Sequence, residues 1–331
     1  MAYIRTAAVD FADKHWNIPA DDGLFWLSNE AIVISQVRQQ NVVPRPDWKK
    51  APAADGWMPK FVDDGKGGEK AVFQRATPAG LEEILINPWE GIADCAHFLS
   101  RCLTAGGLKG TGSDERGVPT MIHHLQDRTD TKTLCETVPR EAGQRIIDTG
   151  IFKPGDMIGY FNIDPKGDYD GKKEYAHSAM YAGKIGGKRD GGVTCHTICR
   201  FPGRSWVEDS WWLKPSGHYT YTLIHFTDDD PAPDAARAAA LAGWWQLDYA
   251  GKTEYYLMKK TGSVEYSKRA PTKGQTVMHG AEGKAFWFMS PDGKITFTWR
   301  TTGTVEVWTP VGSGYTSMIN GATPGALTKL P

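Results

Sequence analysis

From Gly243 to the C-terminus the chain is a succession of short aromatic and β-branched runs set apart by turn signals, and few folds accept such a pattern. The runs are Trp244 to Tyr249, Thr253 to Lys259, Ser263 to Ser267, Ala285 to Ser290, Lys294 to Arg300, Val305 to Thr309 and Tyr315 to Ile319. Separators such as Tyr249-Ala250-Gly251-Lys252, Pro291-Asp292-Gly293-Lys294 and Thr302-Gly303 suit tight hairpins, so neighbouring runs fold back on one another. Seven or eight antiparallel strands are implied, and a small up-and-down barrel or a sandwich buries one face of each. The aromatic richness is what such packing needs; only exposed aromatics would indicate binding.

The preceding residues read differently. Ile4, Ala8, Phe11 and Ala12 have helical spacing, and the apolar stretch from Leu24 to Val37 reads as a second helix broken by Pro44 and Pro46. Residues 41 to 80 are rich in Pro, Gly, Asp and Lys, which predicts exposed loops around a cleft. After Pro154-Gly155-Asp156 the chain becomes strand-like over Met157 to Phe161, Tyr175 to Tyr181 and Val193 to Cys199. Helices followed by an antiparallel sheet make this part α+β. Asp228-Asp229-Asp230-Pro231-Ala232-Pro233 ends this half, and the alanine-rich Asp234 to Leu241 reads as a short helix or stiff linker. The expected organisation is therefore a domain over 1–227, a linker over 228–242 and a β domain over 243–331.

The segment Asp94-Cys95-Ala96-His97-Phe98-Leu99-Ser100-Arg101-Cys102-Leu103 carries the chemistry. Asp94 suits an N-cap, Phe98, Leu99, Cys102 and Leu103 form an apolar stripe, and Gly106-Gly107 suits a C-cap. Cys95 then sits at the positive end of the helix dipole, where unpaired N–H groups favour thiolate over thiol and can hold an oxyanion. About eighty residues on, Glu174-Tyr175-Ala176-His177-Ser178-Ala179 offers a histidine on a strand as the base. Cys102, two turns into the stripe, reads as core filler. For the group that orients the imidazole, His196 is the first candidate, with Asp209, Glu174 and Asn162 as alternatives. Backbone donors near Asp94 and Cys95, or the indole of Trp89, would form the oxyanion hole.

Composition narrows the partners. Across 331 residues the formal net charge is -1, which gives no overall attraction to nucleic acid or acidic membranes. The start lacks the apolar core of a signal peptide and no stretch is long enough to span a bilayer, so synthesis in the bacterial cytoplasm is expected. Five cysteines, odd in number and unevenly spread, do not form a disulfide framework. Cys195-His196-x-x-Cys199 has no second ligand pair at zinc-finger spacing, and the adjacent His123-His124 reads as a solvated pair or cleft rim, so no metal is expected.

Asp94-Cys95 followed by Phe98-Leu99-Ser100 and Gly106-Gly107, with Pro154-Gly155-Asp156 ahead of His177-Ser178-Ala179, resembles the papain-like amidases and peptidases of bacterial cell walls, the NlpC-type and CHAP groups. The likeness is closer still to an amidase group whose motif runs Asp-Cys-x-Asn-Phe-Val-Ser-Gln, preceded by an N-terminal helix like Ala8 to Trp16. It covers roughly residues 1 to 225, and His97 stands where that group has asparagine. The resemblance implies a papain-like domain in which Cys95 attacks an amide carbonyl, His177 shuttles the proton and a polar residue on the next strand, here His196, completes the site. It implies a peptidoglycan substrate and no cofactor. Action in the periplasm or cell wall would then need a route other than signal-peptide export, such as type VI secretion of an antibacterial effector or phage lysis. An effector would have an immunity or delivery protein as partner.

Two other functions compete. In one, the papain-like part is a scaffold and the aromatic β domain binds a ligand or partner. In the other, the same thioester is resolved by an amine, making the chain a cysteine acyltransferase or a deamidase of proteins.

Overall fold

The computed structural model describes residues 2–15, 95–110, 117–163, 173–184, 191–195, 219–230, 235–312 and 314–331, and the backbone of six strands between residues 24 and 85. The chain is mixed helix and sheet and divides into two compact units: Met1–Arg128 with Pro154–Tyr219, and Thr129–Lys153 with Thr220–Pro331.

The first unit opens with helix α1 (Arg5–His15), which buries Ala8 and Ala12 as the spacing predicts. Two expectations fail next. The described residues between Leu24 and Val33 are strands rather than helix: β1 (Leu24–Leu27) and β2 (Glu30–Val33) pair antiparallel, and β3 (Val42–Val43) joins them. Residues 41 to 80 are not only loop, because β4 (Met58–Asp63), β5 (Glu69–Thr77) and β6 (Gly80–Leu85) form a meander. Apolar residues in short runs fit either period, and long-range pairing decides between them.

Helix α2 (Cys95–Ala105) is buried nearly all round; Phe98, Leu99, Cys102 and Leu103 form the stripe, and Ala96, His97 and Ser100 are buried too. Its end is a Schellman cap: Gly107 has φ +87°, its N–H donates to Thr104 O at 2.8 Å, and the Leu108 N–H donates to Leu103 O at 3.0 Å. Helix α3 (Val118–Gln126) buries Met121, Ile122 and Leu125 and leaves His123 and His124 exposed. Strands β8 (Met157–Asn162), β9 (Tyr175–Lys184) and β10 (Gly191–Thr194) form an antiparallel ladder.

The second unit holds β7 (Thr131–Val138), which pairs antiparallel with β11 (Tyr219–Phe226), and helix α4 (Arg140–Asp148). Helix α5 (Ala235–Leu241) leads into β12 (Gly243–Tyr249), β13 (Lys252–Met258), β14 (Ser263–Ser267), β15 (Gly283–Met289), β16 (Ile295–Trp299), β17 (Val305–Val311), β18 (Gly314–Ile319) and β19 (Thr323–Lys329). These eight close into an antiparallel barrel, β19 pairing with β12 from Trp245↔Lys329 to Asp248↔Ala326. The aromatics point inward: Trp245, Tyr256, Trp287, Phe297 and Trp308 are buried together, joined by Ala238 and Leu241 of α5. Trp245 Nε1 donates to Leu241 O at 2.8 Å, tying the helix to the barrel core.

One carboxylate lies in that core. Glu306 is 1 % exposed and accepts hydrogen bonds from Trp308 Nε1 at 2.5 Å, Ser317 Oγ at 2.7 Å and the Tyr256 hydroxyl at 3.0 Å. Burial raises its pKa above the ordinary 4.5, and the hydrogen bonds oppose that shift without cancelling it. Outside the barrel, β7 is held by the Glu136 N–H donating to Arg300 O and Arg300 Nε donating to Glu136 Oε2, both at 2.8 Å.

Candidate active site

Cys95 is the first residue of α2 and His177 the third of β9, and α2 packs directly on β9. Helix α1 packs on both, so three elements distant in sequence share one core. The N-terminal segment holds them in place. The Ile4 N–H donates to Gly106 O at 2.7 Å, and the Tyr3 ring covers Gly106 so closely that a Cβ there would lie 2.5 Å from Tyr3 Cε2. The Tyr3 hydroxyl donates to Gly155 O at 2.8 Å, which joins the end of α2 to the turn before β8.

That turn is the Pro154-Gly155-Asp156 motif, and its residues have structural duties. Gly155 has φ +92° and lies so close to Arg5 that a Cβ would be 3.0 Å from Arg5 Cβ. Asp156 is fully buried and receives Arg5 Nη1 at 2.5 Å. The Gly155 N–H donates to Tyr181 O and the Tyr181 N–H to Asp156 O, each at 2.8 Å, pinning the far end of β9. The motif thus sets the strand that carries the histidine.

Both proposed reacting groups are withdrawn from solvent, Cys95 at 5 % exposure and His177 at 2 %. On β8, Tyr160 is the direct partner of His177, and their rings lie with centroids 5.0 Å apart at 52°. Tyr160 is itself fully buried, so the imidazole is packed on one side by an aromatic wall. The residue pattern contains no signal for this neighbour; only the β8–β9 register reveals it.

Of the alternatives for an orienting group, Asn162 is fully buried at the end of β8, two residues beyond Tyr160. Its N–H donates to Glu174 O at 2.8 Å, and Glu174 is half-buried just before β9. Strand β10 is the neighbour of β9, with Thr194 opposite Met180. His196, Asp209, Trp89 and Asp94 lie outside the described residues. Cys102 is a buried core residue, as expected. Cys135 on β7 is a further buried thiol whose pKa burial pushes up to about 12, so it stays protonated.

No family model, curated protein or solved structure matches the chain. No helix among the described residues is long and apolar enough to cross a membrane. The site's meaning therefore rests on its chemistry: a thiol at the opening of a buried helix, and an imidazole on the strand that helix packs against.

Proposed function

We propose that the chain is a papain-like cysteine amidohydrolase acting on an amide bond of peptidoglycan. The observation that carries this reading is the packing of α2, which begins at Cys95, on β9, which bears His177. The motif resemblance to the cell-wall amidases supplies the substrate class. The thiolate of Cys95, formed by proton transfer to His177, adds to the amide carbonyl, and first-turn N–H groups of α2 stabilise the tetrahedral oxyanion. Protonated His177 gives its proton to the leaving amine as the C–N bond breaks. Water, deprotonated by the same imidazole, adds to the thioester carbonyl; the C–S bond breaks and the thiol is restored. His196 or Asn162 orients the ring, and the chemistry requires no metal or organic cofactor. The barrel presents the enzyme to substrate or to a delivery partner, and an immunity protein would plug the site of an antibacterial effector acting in the periplasm or cell wall.

The test is mass spectrometry of purified peptidoglycan digested with wild type and with Cys95→Ala. Fragments made by wild type alone establish the hydrolase, and their masses name the bond. If sacculi stay intact with both, a wall substrate is ruled out. Amine-dependent modification of protein substrates by wild type alone would then identify an acyltransferase or deamidase.

A further inference from the structure

The second unit contains a pocket of about 450 Å³ on the outer wall of the barrel, within the size range of small-molecule sites. Phe288, on the outward face of β15, lines it with Ile151 and Pro291, and Lys132 of β7, Lys153 and Asp230 supply its charged groups.

The charges there are unequally satisfied. Asp230 is fully engaged: His225 Nε2 lies 3.0 Å from both carboxylate oxygens, and Lys153 Nζ donates to Oδ1 at 3.0 Å. Burial alone would raise the Asp230 pKa, but the bonds and charges of His225 and Lys153 outweigh it and hold the group at about 2. Lys132 has no such arrangement. Its ammonium lies over aromatic rings, 4.6 Å from the centroid of Phe288 and 5.6 Å from that of Phe286. Among the described residues it makes no hydrogen bond or ion pair. Burial lowers its pKa against the pull of Asp230, so the environment has removed water from a cation without giving it an anion.

We propose that this pocket is a binding site for a small organic carboxylate, whose anionic group is received by Lys132 and whose apolar body lies against Phe288, Ile151 and Pro291. Phe288 contributes twice, as the ring under the ammonium and as part of the apolar wall. Selection against cations follows from charge, and a carboxylate is favoured over a neutral amide because its hydrogen bonds from the ammonium join opposite charges. The site does not depend on Cys95, so its failure would leave the amidohydrolase reading untouched.

The test is calorimetric titration of the full chain with 3-phenylpropionate, 3-phenylpropionamide and 3-phenylpropylamine, in wild type and in Lys132→Met. The acid is expected to bind roughly tenfold or more tightly than the amide, the scale of one charge-assisted hydrogen bond, and the amine not at all. Lys132→Met should bring the acid down to the affinity of the amide. In wild type, the acid should also protect Lys132 from acetylation by acetic anhydride, read by peptide mass spectrometry, which needs no variant to fold. Equal affinity for acid and amide, no binding of the acid at millimolar concentration, or unchanged labelling of Lys132 with the acid bound would overturn the proposal and leave Lys132 a packing residue.

Discussion

Arg5, the first residue of α1, and Asp156, the residue before β8, form an ion pair at 2.5 Å that is closed off from solvent. It joins the N-terminal helix to the strand pair that carries His177. Removing one partner leaves the other charged and buried, so Asp156→Ala should cost about 3–5 kcal/mol in a urea unfolding experiment. The double variant Arg5→Met/Asp156→Leu should lose less than Asp156→Ala alone. A single variant within about 0.5 kcal/mol of wild type would show the pair to be open to water.

Gly159 of β8 faces α3. A Cβ there would lie 2.4 Å from Ile122 Cδ1, and Ile122 is fully buried. Gly159→Ala should therefore overpack the helix–sheet contact by about 1–3 kcal/mol. Adding Ile122→Val, which deletes the clashing methyl, should recover part of that loss. Thermal melts of the two single variants and the double variant form the cycle, and strictly additive losses would place the strain elsewhere.

Glu306 in the barrel gives stability a pH dependence of defined sign. Its folded pKa is raised above the ordinary 4.5, so the native state holds its proton to higher pH than the unfolded chain does. Its contribution is complete below about pH 4.5 and declines by about 1.4 kcal/mol per pH unit as pH rises toward the folded pKa. Glu306→Gln keeps an acceptor for Trp308 and Ser317 but cannot ionise. Denaturant midpoints from about pH 5 to about pH 8 should fall less steeply in the variant than in wild type; parallel curves would refute the assignment.

The thiols should separate by reactivity. Cys135, held at about 12, is ionised to only about one part in 10⁵ at pH 7 and should resist iodoacetamide in the folded state. Cys95, if paired with His177, should be alkylated ahead of Cys102, Cys135 and Cys195. His177→Ala should slow that reaction by up to about thirtyfold, the ratio between a fully ionised thiol and one of ordinary pKa near 8.5 at pH 7. Peptide mapping after timed quenching measures each rate. A Cys95 rate indifferent to His177 would separate the two residues.

Seven of the eight barrel strands are legible in the residues because turn chemistry and aromatic runs are local properties. The eighth, Thr323–Lys329, carries Pro324 and Gly325 and has no strand signal of its own. It forms because β12 and β18 offer it partners on both sides, and Gly325 fits where a Cβ would lie 2.5 Å from Leu247 Cδ1. The same division holds in the first unit. The helix at Cys95, its glycine cap and the strand of His177 follow from local pattern, whereas the strands at 24–33 and 58–85 were hidden because short apolar runs do not specify their period. The sequence by itself determined that helices and antiparallel strands are combined and that the C-terminal runs form an antiparallel β domain, barrel or sandwich, and it singled out Cys95 and His177; the β12–β19 pairing decided for the barrel. Only the tertiary structure decided that Tyr160 packs on His177, that Asp156 is buried against Arg5, and that Lys132 lies over Phe288 beside a pocket. Each joins residues whose proximity depends on strand register or helix docking, and those are set by packing the whole core rather than by any local run.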